Sequence, residues 1–192
     1  WTSDAVWPIP VGVHTVTYIA TDQWGNSATC SQQVTVIDTQ APVAICQPVS
    51  VNLDGSGTAT ITAAQVNNGS TDNCAIVSMS VSPNTFNAVG TYSTTLTVTD
   101  AAGLSSTCNA TVTVTDNQPP VAVCQNITVT LNATGNATIT ASQIDGGSTD
   151  NGAIVSLVAS QTAFTCANVG TNNVTLTVTD DGGNTAQCVA VV

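Results

Sequence analysis

The chain has 192 residues and a formal net charge of −11, with no lysine, no arginine and only aspartate as its acidic residue. Because nucleic acids and anionic membranes are bound mainly through Lys and Arg, this composition excludes a nucleic-acid partner. A hydrophobic content of 42% excludes a disordered acidic tail, and the apolar stretches are too short for direct membrane insertion.

The first 37 residues match only the later half of a repeat that follows. Ala28-Thr-Cys30, for example, corresponds to Ser106-Thr-Cys108. Self-similarity at a fixed period indicates a repeat protein, and the start within a repeat indicates a window on a longer array. The predicted domains are the C-terminal half of one unit (1–37), a complete unit (38–115) and a further unit (116–192).

The two later units are aligned by their opening segments. The segment 38–47 (DTQAPVAICQ) recurs 78 residues later as 116–125 (DNQPPVAVCQ). Two residues are inserted in the third unit within Phe164–Asn168, relative to Phe86-Asn87. The segments 38–42 and 116–120 contain proline, which makes them short, stiff linkers.

Each unit reads as all-β. Val174, Leu176 and Val178 alternate with threonine, which is typical of a half-buried strand. Earlier in the unit, Val49–Leu53 and Thr58–Thr62 predict a hairpin around the turn 54–57. Thr62–Gln65 predicts a one-turn helix with a capping box.

About seven short strands in each unit predict an immunoglobulin-like β-sandwich. The predicted fold is therefore all-β, with tandem immunoglobulin-like β-sandwich domains joined end to end by the proline-containing linkers.

Seven dispersed cysteines without a C-x-x-C motif favour structural disulfides over a zinc site. Equivalent positions in the two later units predict the pairs Cys46 with Cys108 and Cys124 with Cys188. Cys30 then lacks a partner because half of its repeat is missing.

Two cysteines have no counterpart in the other unit. Cys74 aligns with Gly152, and Cys166 lies in the two-residue insertion. They are predicted either as unpaired thiols or as an inter-domain or intermolecular bond.

These motifs resemble the hyalin (HYR) repeat. The resemblance is carried by residues 10–18 (PVGVHTVTY), 20–30 (ATDQWGNSATC) and 38–42 (DTQAP). The later units, with residues 120–125 and 147–151, are similar to tandem repeats of very large secreted surface proteins of Bacteroidetes, including gliding-motility adhesins. The resemblance implies an immunoglobulin-like sandwich, an extracellular or cell-surface location and a role in adhesion or as a spacer. The departures at Cys74 and Cys166 leave the second disulfide of the family open.

No constellation for catalysis is predicted. The single histidine, His14, aligns with Tyr92 at the start of a strand and has no accompanying nucleophile motif. HYR modules also carry no catalytic residues to transfer, so the chain is predicted to be a non-enzyme.

Calcium is the one candidate cofactor, although folding is not expected to require it. Hard oxygen ligands suit Ca²⁺, and a divalent ion is the only local means of neutralising carboxylates in a chain without Lys or Arg. Turn capping explains each aspartate singly as the alternative. The candidate ligands lie in linkers and loops: Asp38, Asp72, Asp100, Asp116, Asp150 and Asp180.

Six N-x-[ST] sequons are candidate glycosylation sites. Chance also produces such sequons in a chain so rich in Asn and Thr. Their asparagines are Asn68, Asn109, Asn126, Asn132, Asn136 and Asn173.

The sequence therefore predicts a rod-like stalk segment of a very large cell-surface adhesin. Its expected partners are neighbouring repeats or copies of itself, with an unknown surface or glycan ligand. The alternative is a subunit of a self-assembling extracellular filament, glycosylated or not, formed by strand addition. A weaker alternative is an accessory module of a secreted hydrolase.

Overall fold

The computed structural model describes residues 2–5 and 8–192. Strands dominate these residues, and the all-β prediction is confirmed. In the first predicted unit the strands are β1 (Thr2–Ser3), β2 (Gly12–Thr21) and β3 (Ser27–Val36). They form one antiparallel sheet in the order β1-β2-β3.

The second unit has two sheets. Its elements are β4 (Val49–Asn52), β5 (Ala59–Thr60), α1 (Ala63–Val66), β6 (Ile76–Ser82), β7 (Thr85–Phe86), β8 (Gly90–Asp100) and β9 (Ser105–Thr115). The order β4-β9-β8-β6 forms a four-stranded sheet, and β5 pairs with β7 in a second, two-stranded sheet.

The third unit repeats most of this plan. Its elements are β10 (Asn136–Thr138), α2 (Ala141–Ile144), β11 (Ile154–Ala159), β12 (Ala163–Thr165), a 3-10 turn (Cys166–Asn168), β13 (Asn173–Asp180) and β14 (Thr185–Val191). The order β11-β13-β14 forms one sheet, and β10 pairs with β12 in the other.

Each of the two later units packs its sheets around a core of its own. The predicted alternation is present: Leu96 and Val98 of β8 are fully buried, and Thr97 between them is partly exposed. Phe86 of the smaller sheet packs in the same cluster. Leu176 and Phe164 hold the corresponding places in the third unit. Two sheets that bury a shared apolar layer form a β-sandwich.

The predicted hairpin around residues 54–57 is wrong. The turn itself forms, with the Gly57 N–H donating to the Asp54 carbonyl at 2.9 Å. However, β4 pairs in parallel with β9, and β5 pairs with β7. The chain therefore crosses from one sheet to the other at this turn, because this arrangement buries Val49 and Leu53 in the common core.

The predicted one-turn helix is confirmed as α1. The Thr62 N–H donates to Gln65 Oε1 at 2.8 Å, as a capping box requires. In the third unit, Thr140 and Gln143 make the same bond at 2.7 Å. Both helices have only four residues, and no helix among the described residues is long and apolar enough to cross a membrane.

Candidate metal sites and disulfides

One disulfide closes each of the two later units. The structure joins Cys46 to Cys108 and Cys124 to Cys188, the pairs that the repeat alignment predicts. Each bond ties the start of a unit to its last strand, and both half-cystines of each bond contact their unit's core. The three remaining cysteines are free and exposed: Cys30, Cys74 and Cys166.

Three aspartates converge where the linker enters the third unit, which we call the leading end of that unit. One carboxylate oxygen from each of Asp116, Asp150 and Asp180 lies within 4.8 Å of those of the other two. Asp116 is 5% exposed and Asp180 is 1% exposed. Three carboxylates at this spacing provide the hard oxygen donors that Ca²⁺ prefers.

Two oxygens of this cluster are buried without a hydrogen-bond partner. Asp116 Oδ1 accepts from the Gln118 N–H at 2.9 Å, and Asp150 Oδ2 accepts from the Gly152 N–H at 2.8 Å. The other oxygen of each, Asp116 Oδ2 and Asp150 Oδ1, has none. A buried acceptor left unpaired costs about 1–3 kcal/mol, so a cation bound between these oxygens would stabilise them.

The leading end of the second unit repeats the arrangement with one change. Asp38 Oδ2 and Asp72 Oδ1, the equivalents of the two unpaired oxygens, are again buried and unpartnered. Here Cys74 Sγ joins oxygens of Asp38 and Asp72 in a group whose atoms lie within 4.8 Å of one another.

Asp100 and Asp180 hold the equivalent position in the two clusters but are not equally paired. Asn184 donates to both oxygens of Asp180, at 2.7 Å from its backbone N–H and 3.0 Å from its side chain. Leu104 occupies the place of Asn184 and donates only through its backbone, at 2.8 Å. Asp100 Oδ2 is therefore a third unpartnered oxygen, on a residue that is 1% exposed.

The two clusters also differ at position 152 of the third unit and its equivalent, position 74 of the second. At Gly152, a β-carbon would lie 2.8 Å from Asp181 Oδ1 and 2.9 Å from Asp116 Oδ2. Glycine thus keeps open the space between these carboxylates. Cys74 fills the equivalent space with a thiol.

The thiol and the carboxylates of the second-unit cluster affect one another. Hydrogen bonding to Asp38, followed by burial and the charges of Asp38, Asp72 and Asp100, raises the pKa of the Cys74 thiol. The pKa of Asp38 is lowered, chiefly by the hydrogen bond from the Gln40 N–H. A neutral thiol is a poor ligand for a hard cation, so the third-unit cluster is the better candidate for calcium.

The leading end of the third unit also contacts the second unit. Asn151 Nδ2 donates to the Asp54 carbonyl at 3.1 Å and to Asp116 Oδ1 at 3.4 Å. Gly57 packs so tightly against the Asn151 carbonyl that a β-carbon there would collide with it. The turn 54–57, which we call the trailing turn of the second unit, therefore touches the loop that carries the third-unit cluster.

The structure brings together five of the six predicted metal ligands in two groups, Asp38 with Asp72 and Asp116 with Asp150 and Asp180. The sixth, Asp100, acts on the second-unit cluster through its charge. Sequence reasoning named Asn151 as an oxygen ligand but missed Asp181 and the place of Cys74 beside carboxylates. The adjacent Asp180-Asp181 and the D-N-[CG] spacing were signals for them.

The remaining candidate residues lie at the surface. Each of the six sequon asparagines, Asn68, Asn109, Asn126, Asn132, Asn136 and Asn173, is exposed. His14 Nε2 is 2.7 Å from the Pro10 carbonyl, and Tyr92 donates to the Ala88 carbonyl at 3.0 Å. His14 and Tyr92, which are aligned, thus each contact the backbone carbonyl of the residue four positions earlier.

Comparison with known proteins matches this chain to a protein family and to a relative. The HYR domain family matches residues 7–36. Hyalin of Strongylocentrotus purpuratus is 33% identical over 189 residues, which cover 92% of this chain and 16% of hyalin. The chain thus spans about one sixth of the length of this relative.

Solved structures align with this chain only at low TM-scores. Protocadherin Gamma C5 EC1-3 aligns with a TM-score of 0.40 and 12% identity over 94% of this chain and 76% of its own. Mouse Cadherin-23 EC22-24 aligns with a TM-score of 0.34 and 14% identity over 94% and 73%, respectively. The sequence matches to the HYR domain and to hyalin confirm that this chain resembles the HYR repeat.

Proposed function

We infer that the chain is a rod-like, non-enzymatic segment of an extracellular adhesive protein, with HYR units in line. The similarity to an HYR domain and to hyalin supports an extracellular, adhesion-type module. The absence of Lys and Arg from the sequence also supports exposure outside the cell, because trypsin-like proteases find no cleavage site.

The contact between the trailing turn 54–57 and Asn151 is the observation that carries this proposal. Asn151 bonds both the second unit, at Asp54, and the linker residue Asp116. Asn184 also holds the linker, donating to the Asp116 carbonyl at 3.2 Å and the Gln118 carbonyl at 3.3 Å. A linker bonded to the third unit, together with the bond from Asn151 to Asp54, favours a fixed arrangement over freely jointed units.

Calcium at the third-unit cluster is part of this proposal. Asp116 belongs to the linker, whereas Asp150 and Asp180 belong to the third unit. A cation held between them fixes the linker to the unit and neutralises charge that would otherwise oppose their approach. The unpartnered Asp116 Oδ2 and Asp150 Oδ1 support this assignment.

Small-angle X-ray scattering of the whole chain, with calcium and with a chelator, tests the proposal. A compact protein of this length has a radius of gyration of about 16 Å. A rod gives a clearly larger radius of gyration. Removal of calcium by the chelator is expected to reduce this radius or to broaden the distribution of interatomic distances. Asn151→Ala is the matched variant, because it removes the bonds to Asp54 and Asp116 and leaves the aspartates in place. A radius near the compact value, unchanged by calcium, contradicts the rod.

A second candidate function is assembly into an extracellular filament by strand addition. The outer edge of β6, in the second unit, has no partner strand among the described residues. An open edge of this kind accepts a strand from a neighbouring chain. Long regular fibres by electron microscopy, abolished by Ser80→Lys at an exposed position of β6, support assembly; separate particles at high concentration contradict it.

A further inference from the structure

The leading end of the second unit places a sulfur atom among carboxylates. Cys74 Sγ and one oxygen each of Asp38 and Asp72 lie within 4.8 Å of one another. Zinc binds thiolate sulfur at about 2.3 Å and carboxylate oxygen at about 2.0–2.2 Å, so neighbouring ligands of a tetrahedral zinc ion lie about 3.5 Å apart. Each pair of these three atoms therefore needs to close by at most about 1.3 Å to hold such an ion.

A fourth donor at this cluster is buried and has no partner. Asp100 is 1% exposed, and its Oδ2 makes no hydrogen bond. Its Oδ1 accepts two backbone hydrogen bonds, at 2.9 and 2.8 Å, which orient the carboxylate. The charge of Asp100 acts on the Cys74 thiol, and its equivalent, Asp180, belongs to the third-unit cluster. A cation at this place would stabilise the buried oxygen.

Hydrogen bonds around the cluster orient the other donors. Asn73 Nδ2 donates to Cys74 Sγ at 3.6 Å and to Asp38 Oδ1 at 3.3 Å. The backbone N–H of Cys74 donates to Asp72 Oδ2 at 2.9 Å. These bonds leave Asp38 Oδ2 and Asp72 Oδ1 buried and unpartnered. Hydrogen bonds of this kind hold metal ligands in their binding orientation.

Two differences from the third unit both add free donor atoms to the second. Cys74 stands where the third unit has Gly152 and supplies the sulfur. Leu104 stands where the third unit has Asn184, whose side chain donates to Asp180 Oδ2 at 3.0 Å. The second-unit cluster therefore has three unpartnered oxygens and a sulfur, whereas the third-unit cluster has two unpartnered oxygens and no sulfur.

This set of donors determines the class of metal. Calcium takes six to eight oxygen ligands, whereas thiolate ligands select softer ions. Zinc accepts both cysteine sulfur and aspartate oxygen and needs only four ligands. The sequence shows no clustered cysteines, by which zinc sites are usually recognised, because three of the four donors here are carboxylates far apart in the chain.

We propose that Asp38, Asp72, Cys74 and Asp100 form a zinc site at the leading end of the second unit. The Cys74 thiol loses its proton to solvent as the sulfur–zinc bond forms, the carboxylates bind as anions, and zinc keeps its charge of 2+. Because Asp38 belongs to the linker 38–42, the ion fixes this linker to the second unit. The site is independent of the calcium proposed for the third unit.

Alkylation of the free thiols tests the site in the native chain. Cys30, Cys74 and Cys166 are all free and exposed, so two of them serve as internal controls. The chain, with both disulfides intact, is treated with iodoacetamide with and without zinc chloride, and the products are mapped by mass spectrometry. At a zinc concentration about ten times the Kd, about one tenth of the sites are free. Alkylation of Cys74 is therefore expected to slow about tenfold, and alkylation of Cys30 and Cys166 to stay unchanged.

Calorimetric titration with zinc chloride tests the ligands one by one. Cys74→Ser and Asp100→Asn are each expected to weaken zinc binding by about tenfold or more, and Asp100→Asn keeps the oxygen that accepts the two backbone bonds. Cys166→Ser, the matched control, should bind zinc as the native chain does.

Three results would overturn the proposal. They are equal protection of all three thiols by zinc, equal zinc binding by the native chain and Cys74→Ser, and loss of the protection of Cys74 when calcium is added in excess. The alkylation experiment needs no variant, so it decides the matter even if a substitution prevents folding.

Discussion

The leading ends of the second and third units share three aspartates but differ at the residue that lies among them. Asp38 and Asp72 repeat Asp116 and Asp150, down to which oxygen is buried without a partner. The third unit has Gly152 and an open space, whereas the second has the Cys74 thiol. One methylene and one sulfur atom thus occupy, in the second unit, the space that stays open between the carboxylates of the third.

The largest expected effect comes from the disulfide that each of the two later units contains. Replacing both cysteines of one disulfide by serine is expected to cost about 4 kcal/mol, because each bond closes a loop of more than 60 residues in the unfolded chain. The Cys46/Cys108 and Cys124/Cys188 pairs should give similar losses in urea unfolding followed by circular dichroism. A loss below about 1 kcal/mol for either pair contradicts the expectation that the two disulfides stabilise their units equally.

Calcium is expected to bind more tightly to the third-unit cluster than to the second-unit cluster. At a concentration about 100 times its Kd, a bound ion adds about 2.7 kcal/mol to the free energy of unfolding. Asp116→Asn should abolish this gain, because the buried unpartnered oxygen loses its charge. Asp38→Asn, the matched change in the second unit, should leave most of it. Melting curves with and without calcium measure both; equal loss in the two variants would remove the distinction.

Much of this organisation is predictable from the sequence because it depends on local patterns. Alternating Val and Thr fix the strands, and Thr62 with Gln65 fixes the start of α1. The sheet that each strand joins is not local: β4 and β5 flank a good turn, yet each pairs with a distant strand.

The candidate metal site likewise depends on contacts that are not local in the sequence. The aspartates are visible in the sequence, and each also fits as a turn cap. Only the folded chain shows that Asp116 Oδ2 and Asp150 Oδ1 are buried and unpaired. The approach of Asn151 to Asp54 likewise joins residues 97 apart and has no sequence signature.

Exchanging the distinguishing residue sharpens the comparison further. Gly152→Ala places a β-carbon against Asp116 and Asp181 and is expected to weaken calcium binding by about tenfold, as is usual when ligand positions are disturbed. Cys74→Gly opens the equivalent space and should strengthen binding at the second unit. Calorimetric titration measures both; unchanged affinities would show that residue 74 or 152 does not determine the site.

The smallest expected effect is a difference in acid sensitivity. Asp145 in the third unit aligns with Asn67 in the second, and both cap the backbone N–H of a following serine. The Ser148 hydroxyl, which donates to Asp145 Oδ1 at 2.6 Å, lowers the pKa of this carboxyl.

Because the folded pKa of Asp145 lies below its unfolded value, its stabilisation is present above the unfolded pKa of about 3.9. It is lost as the pH falls through the folded pKa. Asp145→Asn should therefore remove about 1 kcal/mol or less of acid-dependent stability, whereas the loss of stability caused by Asn67→Ala should be the same at neutral and acidic pH. Urea unfolding at neutral and acidic pH checks this, and identical pH profiles for native chain and Asp145→Asn would contradict it.

The central claim is that the unpartnered oxygen of Asp116 is a cation ligand that ties the linker to the third unit. Isothermal titration of the native chain with calcium, beside Asp116→Asn, tests it most directly. The account predicts saturable binding by the native chain that the variant loses. Heat no greater than that of dilution, or equal binding by both proteins, would contradict it.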